Sequence, residues 1–208
     1  MNTFQTTLLF LALILRSFGG ELYVSREHGF LAQFPAEVEI MRMQNPLGPL
    51  TGYVSADEDN ALIYQIVIMD VEANKALKNP VEDQIRKLVK SNFDSYCKES
   101  EAIAVESKWS EVSAWAMIEF SCTHNGFLGD GIISYKRGYS FLHGSKYYRL
   151  TVHGIEQNKA LKDASLRFLA SFSFADDKTL KEAEQDGTRQ PATRPESKSE
   201  GGDKAQPE

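Results

Sequence analysis

Ala61-Leu62-Ile63-Tyr64-Gln65-Ile66-Val67-Ile68-Met69-Asp70-Val71 is apolar at almost every position. A strand with one wet face alternates apolar and polar residues, whereas one buried on both faces loses that alternation. The stretch therefore predicts an interior strand, with protein layers on both sides of its sheet. The rest of the chain has to supply those layers.

Upstream the pattern is strands. Leu22 to Ser25 and Phe30 to Phe34 flank Arg26-Glu27-His28-Gly29, whose glycine suits a tight turn. Pro35 ends the second strand, and Val38 to Met43 makes a half-buried third. Asn45-Pro46-Leu47-Gly48-Pro49 is a loop. Leu50 to Ala56 then pairs with the interior strand across Asp57-Glu58-Asp59-Asn60.

Downstream come the covering elements. Asn79-Pro80-Val81-Glu82 starts a helix with a cap and a proline in its first turn. Val81, Ile85, Leu88, Val89, Phe93 and Tyr96 follow at helical spacing, and the helix ends near Lys98. Ile103 to Trp109, Trp115 to Cys122, Gly131 to Tyr139 and Lys146 to His153 have short links, which favour an antiparallel meander. A last helix runs from about Glu156 to Ala170, and Ser171 to Phe174 closes the domain. The expected fold class is α+β: a largely antiparallel sheet covered by helices on both faces.

The ends differ in composition. Leu8 to Leu15 is an unbroken apolar run followed by Ser17, Gly19 and Gly20, the pattern of a secretory signal peptide cleaved after Gly19. It is too short to span a bilayer, which takes roughly 20 apolar residues, so no membrane span is expected after cleavage. The expectation is a leader at 1–19, one domain at 20–174 and a disordered polar tail at 175–208, in a secreted or periplasmic protein. The net charge of -6 and the scattered basic residues argue against nucleic acid as a partner.

Three stretches carry a family resemblance: Gly29-Phe30-Leu31-Ala32-Gln33-Phe34-Pro35, Tyr147-Tyr148-Arg149-Leu150-Thr151-Val152 and Arg167-Phe168-Leu169-Ala170-Ser171-Phe172. With the element order, they resemble the PsbP-like group of exported α/β/α sandwiches, typified by an extrinsic subunit of the oxygen-evolving complex. The resemblance implies the architecture and a role in binding rather than chemistry. It carries over no functional residue.

No catalytic constellation stands out. The four histidines, His28, His124, His143 and His153, show no metal-ligand spacing. His124 and His153 end strands on the same edge, about 10 Å apart with one strand between, and read as exposed strand ends. Asp130 starts the intervening strand and would complete only a weak site; neither metal nor cofactor is expected. The glycines of Gly126 to Gly131 join two strands and open no helix, so they fail as a phosphate cradle. Cys97 and Cys122 leave two readings open, one disulfide or two buried thiols.

The aromatic residues offer a recognition surface if Phe141 and Tyr147 project outward beside Trp109; packing under the helices is the competing reading. The leading functional expectation is a non-enzymatic binding or accessory protein for an exported or membrane-bound partner. It would present a sheet edge, the aromatic meander or the loop from Asn45 to Pro49. The alternatives are a carrier with a small molecule or lipid between sheet and helix, and a hydrolase whose site is dispersed in sequence. A histidine or two carboxylates facing one deep cleft would favour the hydrolase. Oligomeric state is not legible.

Overall fold

The computed structural model describes residues 20–45, 48–70, 82–110, 116–125, 133–155, 159–176 and 178–179. The expected leader, the helix cap at Asn79 to Val81, Trp115, the glycine-rich link with Asp130, and nearly all of the polar tail lie outside the described residues. Ten strands and two helices are described: β1 (Glu21–Ser25), β2 (Phe30–Phe34), β3 (Glu39–Asn45), β4 (Gly48–Asp57), β5 (Leu62–Asp70), α1 (Glu82–Glu99), β6 (Ile103–Trp109), β7 (Met117–Asn125), β8 (Ile133–His143), β9 (Lys146–Gly154), α2 (Lys159–Ser171) and β10 (Ser173–Phe174).

Seven strands form one sheet in the order β3-β4-β5-β9-β8-β7-β6. Every neighbouring pair in it is antiparallel. The expected interior strand is β5, held between β4 and β9. Its turn from β4 closes locally, with Asn60 donating from its backbone N–H to Asp57 Oδ1 at 3.2 Å and from Nδ2 to Oδ2 at 2.8 Å. A second sheet of three strands, β1-β2-β10, is built when the last two-residue strand returns to pair with β2. Gly29 turns β1 into β2 at a φ of 62°, a left-handed conformation that costs a glycine little.

Period two assigns the large sheet's side chains to its faces. Tyr64, Ile66 and Ile68 of β5, Tyr148, Leu150 and Val152 of β9, and Tyr139 and Phe141 of β8 share one face. They pack with Leu161, Ala164 and Phe168 of α2 and with Tyr23, Phe30, Ala32 and Phe34 of the small sheet. On the other face, Ile118, Phe120 and Cys122 of β7 meet Val89, Phe93 and Tyr96 of α1. A helix thus lies on each face, and the fold is largely antiparallel α+β as expected. Coverage of β5 is uneven, however. Ile66 and Ile68 are buried, but Ile63, on the α1 face, is only partly so. The cause is that α1 sits over β7 and β8 rather than over β5.

The meander aromatics belong to the core: Phe141 and Tyr147 follow the packing reading and do not form the recognition surface. Phe141 is 0% exposed and Tyr147 is 2% exposed. Phe141 stacks on Tyr148 with centroids 5.4 Å apart, and its edges meet Phe172 and Phe174. Tyr147 lies on the opposite face with Met69 and the partly buried Leu142. Cys97 and Cys122 are free thiols within one apolar cluster, the small-hydrophobe reading of the pair.

Gly138, in the middle of β8, has no room for a side chain against β9. A Cβ added there would lie 2.2 Å from the Leu150 carbonyl oxygen and 2.7 Å from the Thr151 methyl. Phe141→Ala should lower stability by about 3–5 kcal/mol in urea unfolding, the range for a fully buried phenylalanine. A loss below about 1 kcal/mol would mean that the ring does not pack as described. Gly138→Ala should also destabilise, because the obstructing atom is backbone and cannot turn aside. Protein unfolded in an alkylating denaturant without reductant should carry two modified thiols by mass spectrometry; an unmodified, oxidised pair would restore the bridge.

Candidate functional site

The α1 face of the sheet is apolar at one end and basic at the other. Strand alternation sends Cys122 and His124 of β7, Lys136 and Ser140 of β8, and Tyr147, Arg149, Thr151 and His153 of β9 beneath α1. Val89, Phe93 and Tyr96 descend from α1 at helical spacing, and Phe93 meets Phe120 with centroids 5.0 Å apart. One helical turn on, the roof becomes the Tyr96 phenol.

Tyr96 engages two cations at once. The Arg149 guanidinium carbon lies 3.6 Å from its ring centroid, and Lys136 donates from Nζ to its hydroxyl at 2.5 Å. Cation–π attraction of this kind strengthens when the pair is removed from water. Lys136 is only 4% exposed; burial, then the Arg149 charge, bring its pKa down to about 7. That penalty has a definite sign. The unfolded chain holds the lysine proton more tightly, so stability rises with pH from about 7 towards 10.5 and the full cost stands below that window.

The two strand-end histidines are buried, which corrects the reading of them as exposed. One strand does separate them, as expected. His124 Nδ1 lies 2.9 Å from the Ser100 carbonyl oxygen, which can only accept, so Nδ1 carries the proton. Its Nε2 then accepts from the Cys122 thiol at 3.2 Å. His153 Nε2 lies 3.0 Å from Thr151 Oγ1, and burial, with Lys136 and Arg149 nearby, holds its pKa well below the ordinary value.

Cys122 and His124 have the contact of a nucleophile and its base but not the chemistry. A reactive cysteine needs a stabilised thiolate in an accessible place. Burial instead pushes the Cys122 thiol up to about 11 and hides it from water.

A second cluster sits between the small sheet and the β3–β4 edge. Glu27, His28, Arg42, Thr51 and Asp70 line a cleft of about 300 Å³ with Met43, Leu50 and Ile68. This is a histidine and two carboxylates in one cleft, the arrangement that favours a hydrolase. The hydrogen bonds argue otherwise. Lys146 Nζ lies 2.8 Å from His28 Nδ1, and an ammonium can only donate, so the proton of neutral His28 resides on Nε2. Glu27 is held by Arg42 at 2.8 Å, and that hydrogen bond keeps its pKa below the usual carboxylate value. Of the three, His28 and Glu27 are thereby occupied by Lys146 and Arg42.

Trp109 alone of the three expected recognition residues keeps solvent contact; it is half-buried at the end of β6. It borders an open trough of about 630 Å³ on the outer face of α1 with Arg86, Lys87, Lys90, Asp94 and Lys98. The Arg86 guanidinium carbon lies 4.9 Å from the Trp109 ring centroid. Beside it, β6 forms an edge of the large sheet, with Ile103 46% and Val105 39% exposed. Aromatic content marked Trp109; nothing local in the sequence marked Lys136 or Arg149. Among the described residues no helix is long and apolar enough to cross a membrane.

No family model matches the chain, and no curated protein does. Solved structures give likenesses of fold. The chain is similar to a protein of Bacteroides thetaiotaomicron VPI-5482, with TM-score 0.48 and 12% identity over 77% of this chain and 50% of that one. It therefore spans about half the length of that protein. It is similar to the cyanobacterial PsbP of Synechocystis sp. PCC 6803, with TM-score 0.45 and 9% identity over 74% of this chain and 91% of that one. It is also similar to LpqN of Mycobacterium tuberculosis, a protein involved in cell envelope biogenesis, with TM-score 0.31 and 10% identity over 75% and 83% of the two chains. The expected PsbP-like fold is thus among these likenesses, and at such identities a shared fold assigns no shared activity.

Proposed function

We propose that this chain is an exported binding or accessory protein, without enzymatic activity of its own, that receives an acidic segment of another exported or membrane-bound protein along the α1–β6 face. The observation that carries this reading is Trp109, half-buried beside the Arg86 guanidinium in a trough with four cations and one carboxylate. Tryptophan and arginine are the residues most enriched where binding energy concentrates. Two of the four cations already have local partners, Arg86 with Glu82 and Lys90 with Asp94. Lys87 and Lys98 remain exposed and give the face a positive excess. Such charge steers an acidic partner and sets its register more than it adds affinity. The neighbouring β6 edge offers backbone groups to an incoming strand. Its register break between Ile103 and Glu106, with Ala104 at a φ of 48°, limits that pairing to the Trp109 end. The expected leader at 1–19 supports the exported setting.

A second reading, the carrier, has one observation in its favour. A cavity of about 530 Å³ opens between α2 and the end of the sheet, lined by Asp57, Asn60, Tyr64, Arg167 and Ser171 among others. Its polar lining suits a small polar molecule better than a lipid tail. Native mass spectrometry of the purified protein, with a ligand adduct lost in Arg167→Ala, would promote it over protein binding.

A photo-crosslinking residue at position 109 tests the leading reading in the exported fraction. A discrete adduct with another protein is expected, and Lys87→Glu with Lys98→Glu should abolish it while moving stability by no more than about 0.5 kcal/mol. Adducts no stronger than those from position 166, exposed on α2 across the sheet, would end it.

A further inference from the structure

The cleft between the small sheet and the β3–β4 edge is lined by polar groups that the fold leaves without partners. His28 stands in its wall with only 7% of its side chain exposed. Lys146 takes its Nδ1, so Nε2 carries the proton, and among the described residues that N–H has no acceptor. The nearest carboxylate oxygen, Glu27 Oε1, lies 3.9 Å away, too far for a hydrogen bond. Tyr53 meets the imidazole edge to face, with centroids 5.9 Å apart, which limits the ring's rotation. Asp70 ends β5 in the same cleft, and among the described residues its carboxylate makes no hydrogen bond or ion pair. The Thr51 hydroxyl, which also lines the cleft, makes none either. Buried polar groups in folded proteins are nearly always satisfied, so a donor and acceptors left together around a cleft point to an occupant.

The charges restrict what that occupant can be. The charged groups acting on His28 are Lys146, Glu27, Asp70 and Arg42, two of each sign. They alternate rather than segregate. Arg42 is bound to Glu27 at 2.8 Å, both half exposed at the rim, and Lys146 stands opposite Asp70 in the β5–β9 register. A carboxylate placed at Arg42 would therefore meet Glu27, and an ammonium placed at Asp70 would meet Lys146. That argues against simple ions and against zwitterions such as amino acids. A neutral hydroxyl both donates and accepts, so several on one ring can serve the His28 N–H, the Thr51 hydroxyl and the Asp70 carboxylate together. Leu50 and Ile68 add apolar lining for the carbon face of such a ring. The volume, about 300 Å³, stands at the lower end for ligand pockets and suits one ring rather than a chain.

We propose that this cleft binds one neutral, polyhydroxylated ring, a monosaccharide unit. Asp70 accepts from its hydroxyls, and the His28 N–H and Thr51 hydroxyl complete the contact. The unit is a free sugar or the terminal residue of a glycan, and the ring chemistry is the same for both. The site goes beyond the protein-binding reading and does not depend on it. The cleft lies at the β3 edge of the seven-stranded sheet, and β6, beside Trp109, is the opposite edge.

The test uses the whole protein, isotope-labelled for NMR. Glucose, galactose, mannose and N-acetylglucosamine are titrated one at a time to about 50 mM, enough to saturate a millimolar site, with glycine as the zwitterionic control. At least one sugar should shift the backbone amides of His28, Thr51 and Asp70 saturably. Asp70→Ala should weaken its Kd about tenfold, the cost of losing hydrogen bonds to a charged acceptor. The methyl glycoside of the same sugar separates the two sources: a free-sugar site rejects it, and a site for a glycan end binds it equally. No saturable shift with any sugar, shifts confined to other residues, or glycine binding in place of sugar would overturn the assignment. So would an undiminished affinity in Asp70→Ala. If that variant fails to fold, the mapping on the unaltered protein decides by itself.

Discussion

One tyrosine fixes how α1 lies on the sheet. Tyr96 offers its ring to Arg149 and its hydroxyl to Lys136, a half-buried and a fully buried cation on adjacent strands. Burying a charge unpaired is among the most costly events in folding. A helix slipped by one residue would turn the phenol away from both, so the register of α1 is set at this polar end. Val89 and Phe93, meeting Ile118 and Phe120, set it at the apolar end. The His124 imidazole adds a third tie by reaching the Ser100 carbonyl just past the helix. The α1 layer is therefore held by specific contacts as well as by apolar area.

The opposite layer works differently. Between α2, the small sheet and the large sheet, ring-on-ring contacts such as Phe30 with Tyr53, Phe34 with Phe168 and Phe141 with Tyr148 interleave with aliphatic side chains such as Ile66, Leu150 and Leu161. Its polar atoms are few and locally satisfied, as where Ser25 and Tyr53 share a hydrogen bond of 3.0 Å. Such packing contributes hydrophobic stability and tolerates modest rearrangement. The molecule thus has a dry face that secures the fold and a charged face that constrains it, with Gly138 letting β8 and β9 approach closely between them.

The division between what sequence revealed and what it hid follows from range. β5 was legible because losing alternation over a long apolar run has one cheap explanation, and α1 because its apolar residues recur at helical spacing. The hairpins were legible from glycine and turn residues between them. The second sheet was not, because it depends on Ser173 and Phe174 returning to β2 across most of the chain. Phe141 and Tyr147 were ambiguous for a related reason. Alternation says that they differ in face but not which faces are covered, and here both are. Lys136 and Arg149 carried no signal, because a lone cation in a strand has no period or motif to mark it; the helix above buries the first and half-buries the second. The site beneath α1 is thus a tertiary fact with no local signature.

Three chemistry-bearing residues among those described are held by their neighbours. The Cys122 thiol is raised and buried although a histidine touches it. His28 faces a cleft with two carboxylates, but its Nδ1 accepts from Lys146, so the basic nitrogen of the neutral ring is already occupied. Lys136 has a pKa near neutrality, as an amine nucleophile would, yet it donates to Tyr96 and is sealed from any substrate. General acid–base or nucleophilic catalysis requires the reactive atom to meet the substrate, with its base or acid oriented behind it. Cys122 and Lys136 are oriented but buried, and His28 reaches a cleft with its basic nitrogen already taken by Lys146. What stays accessible is a half-buried tryptophan, a positive helix face and an edge strand interrupted by a bulge. Those are the materials of recognition.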